Sequence, residues 1–294
     1  MSQFGFVRLV RAELFRIGHQ RSNWILPLVP LAGWVVFTAL AATSYGLTNT
    51  TGQSTLDEAR TLTDTAAVVL AMTLGAPLLL ISARAAAHDY AYGTVRLLIG
   101  GSASRPNVLL AKLAAGAIVA GTALAVGLAL TGGAVVVASP SFAHSMVSLP
   151  TTYYRELGLD VLSVAISLLA CLVLGTFTST VTRSLSAGLS AAMVWFLAEN
   201  ALTAVFAFLA STTHSDVFVK ASGLLLAPNL DHLIQALQPW RSTVEMGARP
   251  LGETTSNPVG PVGAEQGLIV IGAWLCAFFA LAFVSVVRRF DIKE

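Results

Sequence analysis

Charge is what this chain has least of. Only 11% of its 294 residues are Asp, Glu, Lys or Arg, against roughly 25% in an ordinary soluble domain. A water-exposed globule must cover itself with polar groups, so that class is excluded. Cysteine is scarce as well. Cys171 and Cys276 fall inside apolar runs without CxxC spacing, which leaves no disulfide framework and no zinc site. Buried, they behave as small apolar side chains. The histidines, His19, His88, His144, His214 and His232, have no partner at metal-ligand spacing, and no metal site is expected. His88 and Asp89 are adjacent, which does not place both on one helical face. There is no HExxH and no GxSxG, and Ser167, Ser190 and Ser285 have no histidine within the apolar runs to activate them. An intramembrane hydrolase would lack its machinery. GxxxxGK[ST] is missing too, so the chain has no phosphate-cradling loop of its own. It reads as no enzyme, with no nucleic-acid partner.

What is abundant is apolar sequence, 55% of the chain. Crossing a hydrocarbon core of about 30 Å takes about 20 such residues. Inside lipid the backbone must satisfy its own hydrogen bonds, which leaves helices or a closed barrel. Long unbroken runs favour helices, since barrel strands alternate every second residue. The expectation is an all-α polytopic membrane protein, a single transmembrane domain over 1–294. Its six spans are 24–46, 65–83, 108–138, 161–182, 185–209 and 266–287. Ala39-Leu40-Ala41 mimics a signal-peptide cleavage site, but the run around it exceeds a typical h-region and reads as a retained helix. Pro77 is expected to kink the second span by removing a ladder bond.

Before the spans, 1–21 reads as an amphipathic elbow helix. Phe6, Val7, Val10, Leu14 and Ile17 share one face, opposite Arg8 and Arg16 with Arg11 at the edge, a pattern suited to the membrane surface. On the third span Ala117, Gly121, Ala125, Ala129 and Gly133 recur every four residues, a stripe on which another helix can pack closely. The loops 47–64, 139–160 and 210–265 are polar. Within the last, Leu230, Leu233, Ile234 and Leu237 after Pro228-Asn229 predict a short amphipathic helix.

The distribution of basic residues sets orientation. With both termini inside, cytoplasmic segments hold twelve of the 17 Lys and Arg. The larger outer loops hold only Arg60, Arg155, Lys220, Arg241 and Arg249. The positive-inside rule therefore puts both termini and the 84–107 segment in the cytoplasm. That segment is a polar hinge between two apolar spans. Gly93 permits backbone conformations closed to other residues, and Thr94 can cap a following helix. Val95, Leu97, Leu98 and Ile99 offer an apolar side to a partner, with Asp89 and Arg96 expected at the charged rim.

The pattern Asp89-Tyr90-x-Tyr92-Gly93-Thr94-Val95-Arg96, followed by Arg105 and Lys112, resembles the cytoplasmic signature of type-2 ABC exporter permeases. In that family the acidic position is usually Glu; Asp89 keeps the charge and shortens the reach. The six spans, the elbow and the RRFDI tail fit the same layout. The resemblance implies a permease subunit that pairs with a second copy or a sister permease. Separate ABC ATPase subunits, carrying ATP and Mg, would dock at Asp89, Tyr90, Tyr92, Gly93, Thr94, Arg96 and Arg105. It also implies export of a lipophilic or amphipathic cargo such as a drug, lipid, peptide or glycan. A bacterial inner membrane is expected, given Arg far in excess of Lys and abundant Ala, Gly and Val.

One carboxylate stands apart. Glu199, beside Asn200, lies inside the fifth span, where a charge is costly and functional by default. It is expected toward the outer leaflet, lining a substrate path or paired with a cation such as Arg155, or else at a wet helix end. The alternatives to the ABC reading are a non-ABC secondary transporter and a sensory membrane protein.

Overall fold

The computed structural model describes residues 3–48, 55–91, 104–138, 150–213, 215–236 and 264–288. These form nine α-helices and, among the described residues, no strand. In chain order they are α1 (Gln3–His19), α2 (Arg21–Thr48), α3 (Thr55–Ala91), α4 (Arg105–Ala138) and α5 (Thr151–Thr182). The remainder are α6 (Leu185–Thr213), α7 (Asp216–Ser222), α8 (Leu226–Ala236) and α9 (Ala264–Arg288). Six of them, α2 to α6 and α9, are long and apolar enough to cross a membrane.

Several helices outrun the apolar runs that predict them. α3 begins at Thr55 and α5 at Thr151, inside segments expected to be loops, and α3 continues to Ala91, into the expected hinge. The helical ladder gains a bond per residue whether or not lipid surrounds it, so it ends where a residue stops it. Pro150, in extended conformation, occupies the cap position before α5. The extra turns also have something to pack against. Arg60 of α3 donates to both carboxylate oxygens of Glu156 of α5, at 2.9 and 2.8 Å, and the hydroxyls of Thr63 and Tyr153 meet at 2.7 Å. Pro77 lies inside α3, and the helix runs on through it.

The chain divides into two compact units, Met1–Ala192 with Ala277–Glu294, and Met193–Cys276. In the first, α3 and α5 run parallel and in close contact. A Cβ on Gly175 of α5 would stand 2.5 Å from the carbonyl oxygen of Leu79 and collide with Ser82, so only glycine fits there. A Cβ on Gly127 of α4 would meet Leu70 of α3 at 2.8 Å. The stripe of Ala117, Gly121, Ala125, Ala129 and Gly133 is exposed along α4, and a Cβ on Gly121 or Gly133 would touch nothing within 4 Å. Close helix packing inside the chain thus uses glycines other than those of the stripe. α5 ends at Arg183, whose left-handed conformation (φ 56°) turns the chain directly into α6.

The elbow is oriented differently from its expected pose. Val10, Leu14 and Ile17 pack on Ile81 and Ala85 of α3 and on Ala115 and Val119 of α4. Its apolar face is therefore covered by protein, and Arg16, expected opposite, points inward with it. Val7, expected on that face, is exposed. A helix beside spanning helices gains more by covering their ends than by lying free, because every covered apolar area is counted twice.

In the second unit α7 and α8 occupy what reads as the outer loop. α8 confirms a short amphipathic helix, starting at Leu226 rather than after Asn229, with Leu233 fully buried.

If Gly175 is the closest approach of α3 and α5, Gly175→Ala is expected to lower stability by about 1–3 kcal/mol through overpacking. Gly33→Ala, where a Cβ meets nothing within 4 Å, is expected to be neutral or to stabilise by about 0.5–1 kcal/mol. Thermal unfolding in detergent separates the two; equal midpoints would remove the packing argument.

Candidate functional site

Four charged side chains meet where α1, α3 and α4 converge, at the root of the 92–103 segment. Arg16 of α1 donates to Asp89 Oδ1 at 2.7 Å and to the Ala85 carbonyl at 2.8 Å. Lys112 of α4 stands 2.5 Å from Asp89 Oδ2, donates to the Ala85 carbonyl at 2.6 Å and reaches Glu13 Oε1 at 3.1 Å. Glu13 closes the ring on Arg16. Glu13, Asp89 and Lys112 are all buried. Two cations and two carboxylates balance, which is what makes the burial tolerable; single charges at this depth would be strongly unfavourable.

The Ala85 carbonyl lies within the ladder of α3, which continues to Ala91. It takes the two cations through lone-pair capacity left beside its helical bond, since a carbonyl oxygen can accept more than one donor. Arg16 and Lys112 at this end also oppose the negative pole of the α3 dipole. The result is a four-way clamp that fixes the elbow, the end of α3 and the start of α4 to one another. Beside it, Tyr90 is half-buried in the last turn of α3, and the charge of Arg183 acts on it from the end of α5.

This arrangement alters the place expected for Asp89. Its carboxylate is turned into the protein on Arg16 and Lys112, and only 4% of the residue is exposed. It does not form a charged rim for a partner. Tyr92, Gly93, Thr94 and Arg96 lie outside the described residues, as does the side chain of Arg105, whose backbone opens α4. Glu13 and Arg16 are the site residues that reading the sequence passed over. A signal existed: Glu13 is the lone acid of α1 and sits within its apolar arc, where an unpaired carboxylate would be unfavourable.

Glu199 also finds partners other than those expected. It stands midway along α6, further from the wet end than a shorter span would place it, and is 5% exposed. Its two oxygens accept the backbone N–H groups of Leu226 and Ala227, both at 2.9 Å. Glu199 therefore caps the first turn of α8 from another helix, in place of a pairing with Arg155 or a solvated helix end. A carboxylate at a helix N-terminus is favoured by both the free donors and the dipole. Asn200 follows it on α6, its side chain outside the described residues.

The turn that α8 leaves behind is accounted for group by group. Asn229 Nδ2 donates to the carbonyls of Gly223 at 2.9 Å and Leu225 at 2.6 Å, and the Trp274 indole donates to that of Leu224 at 2.9 Å. The N–H groups of residues 223–225 return to α7. Non-helical backbone persists within apolar surroundings only when it is satisfied in this way.

The chain as a whole was compared with known families. A family model described as ABC-2 family transporter protein matches residues 19–293, nearly the full length. The chain belongs to that family. No curated protein was found to match it. Membership agrees with the signature around Asp89 and Lys112, and it sets aside the non-ABC secondary-transporter and sensory alternatives. As an ABC-2 protein with six membrane-crossing helices, it is a multi-pass membrane permease. Among the described residues no group of His, Cys, Asp and Glu could hold a metal ion.

Breaking the clamp on one side should be worse than removing a pair. Lys112→Met, which leaves Asp89 and Glu13 with Arg16 alone, is expected to cost about 3–5 kcal/mol. The double change Asp89→Leu with Lys112→Met should cost clearly less than the sum of the single ones. Additive losses in a thermal-unfolding cycle would show that the two residues are not coupled.

Glu199→Ala should leave the Leu226 and Ala227 donors unanswered and cost about 1–3 kcal/mol. Glu199→Gln, which keeps one acceptor oxygen, should cost less. Hydrogen exchange reports it locally: faster exchange at 226–227 is expected, and unchanged protection there would refute the cap.

Proposed function

We propose that this chain is the membrane subunit of an ATP-driven exporter. It works as a pair, with a second copy or a sister permease, on two separate ATPase subunits that supply ATP and Mg. The ATPases dock at the cytoplasmic segment from Tyr90 through Gly93, Thr94 and Arg96 to Arg105. The cargo is lipophilic or amphipathic, in keeping with spans that carry few charges. Both termini face the cytoplasm of a bacterial inner membrane.

The observation that carries this reading is the clamp of Glu13, Arg16, Asp89 and Lys112. A segment gripped by a motor transmits force only if its root is rigid, and three helices are tied together at that root by buried charge pairs. Asp89 then acts as a positioning residue for the coupling segment. Push on residues 92–103, and α1, α3 and α4 tilt as one body. The exposed stripe on α4, Ala117 to Gly133, is the face on which a second permease packs, since small residues let helix backbones approach. Glu199 serves the path indirectly, by holding the end of α8 in place.

A mild-detergent pull-down of the tagged chain tests the partner. The expected result is a stoichiometric soluble subunit with a P-loop, lost or uncoupled in Gly93→Pro while the chain still inserts. A chain that purifies alone in several detergents, or normal cargo-stimulated ATPase activity in Gly93→Pro, would overturn the docking assignment. Reporter fusions test the topology: Asn49 and Val259 should read outside and Gly101 inside. A reversed readout at Gly101 would overturn the orientation.

A further inference from the structure

With its apolar face covered by α3 and α4, the elbow turns a different face outward. That face carries Val7, Arg8, Arg11 and Phe15, and it continues into Arg21 and Trp24 at the start of α2. Val7 is 63% exposed, Phe15 64% and Trp24 56%. Large apolar side chains interleaved with arginines are unfavourable in plain water and match the boundary between headgroups and acyl chains. Trp24 is fixed there, since its indole N–H donates to the Gly18 carbonyl at 2.8 Å and holds the corner between α1 and α2.

The charge on this face is one-sided. Glu13, the acid of α1, points the other way, into the clamp. Among the described residues Arg8, Arg11 and Arg21 have no acidic partner, whereas Arg16 is paired. Three exposed guanidinium groups on α1 and at the first residue of α2, accompanied by exposed Phe15 and by Trp24, call for an anion that also presents hydrocarbon. We propose that this face binds the phosphate headgroups of anionic phospholipids in the adjoining leaflet, with Phe15, Val7 and Trp24 seated among the acyl chains. The planar guanidinium fork suits phosphate oxygens. The elbow thereby ties the charge clamp on its inner side to the lipid surface on its outer side.

The proposal rests on the membrane reading but not on the ATPase partner, and its test needs no ATP. The full chain is placed in nanodiscs of mixed phosphatidylcholine and phosphatidylglycerol, and the lipid retained on gentle detergent extraction is weighed by mass spectrometry. Phosphatidylglycerol should be enriched over its share in the disc, and the enrichment should fall as salt screens it. Each of Arg8→Gln, Arg11→Gln and Arg21→Gln is expected to lower that enrichment roughly fivefold, as about 1 kcal/mol per basic residue implies. Arg155→Gln, a control of equal charge change at an exposed site, should leave it intact. The three arginines are exposed, so the single variants should unfold at the wild-type temperature, and any one of them that folds is sufficient for the test. Enrichment unchanged in the folded single variants, or equal loss in Arg155→Gln, would overturn the proposal. So would loss of a co-purifying protein subunit with lipid retention intact, which would assign the face to that subunit.

Discussion

In an apolar solvent a backbone N–H or C=O that lacks a partner costs several kcal/mol, and no water stands by to supply one. That constraint shapes every described part of this chain. It makes the spans helical, and it governs the break between α7 and α8 in the second unit. Across residues 223–227 the ladder is interrupted, and side chains from three helices replace it. Asn229 of α8 and Trp274 of α9 answer the carbonyls of 223–225, and Glu199 of α6 answers the N–H groups of Leu226 and Ala227. The polar residues there are best understood as substitutes for missing backbone partners.

The same logic explains where the few charges went. A chain that is 11% charged still buries Glu13, Asp89, Lys112 and Glu199. Each is answered by opposite charge or by backbone dipoles. The clamp answers carboxylate with ammonium and guanidinium, and Glu199 is answered by the N-terminus of a helix. In both cases the buried ion joins elements distant in sequence. Such contacts contribute less to net stability than to fixing one arrangement, because their geometry tolerates few alternatives. In the clamp that fixity falls where the end of α3 meets the start of α4.

Much of the fold was legible in the order of residues. Apolar length alone places the six crossing helices, and the short turn at Arg183 needs only its lone charge between two runs. Helix ends were less legible, because ends such as 55–64 and 151–160 are helical for reasons of packing. Arg60 and Thr63 look like loop residues until Glu156 and Tyr153 lie beside them. The candidate site was half legible. The acidic and basic positions of the signature drew attention to Asp89 and Lys112, but not to the direction in which Asp89 points. That depends on Arg16, seventy-three positions earlier in the chain, and on an elbow that rotates its apolar arc onto protein.

By itself, then, the sequence determined what kind of solvent this protein lives in, how many helices cross it, and which segment carries the signature of its family. These follow from composition and short-range pattern, which act residue by residue. Only the tertiary structure decided what the isolated charges do. A carboxylate such as Glu199 or Asp89 looks the same in sequence whether it faces cargo, a partner or its own backbone. Its role is set by which donors lie within about 3 Å, and those donors arrive from helices that no local pattern connects.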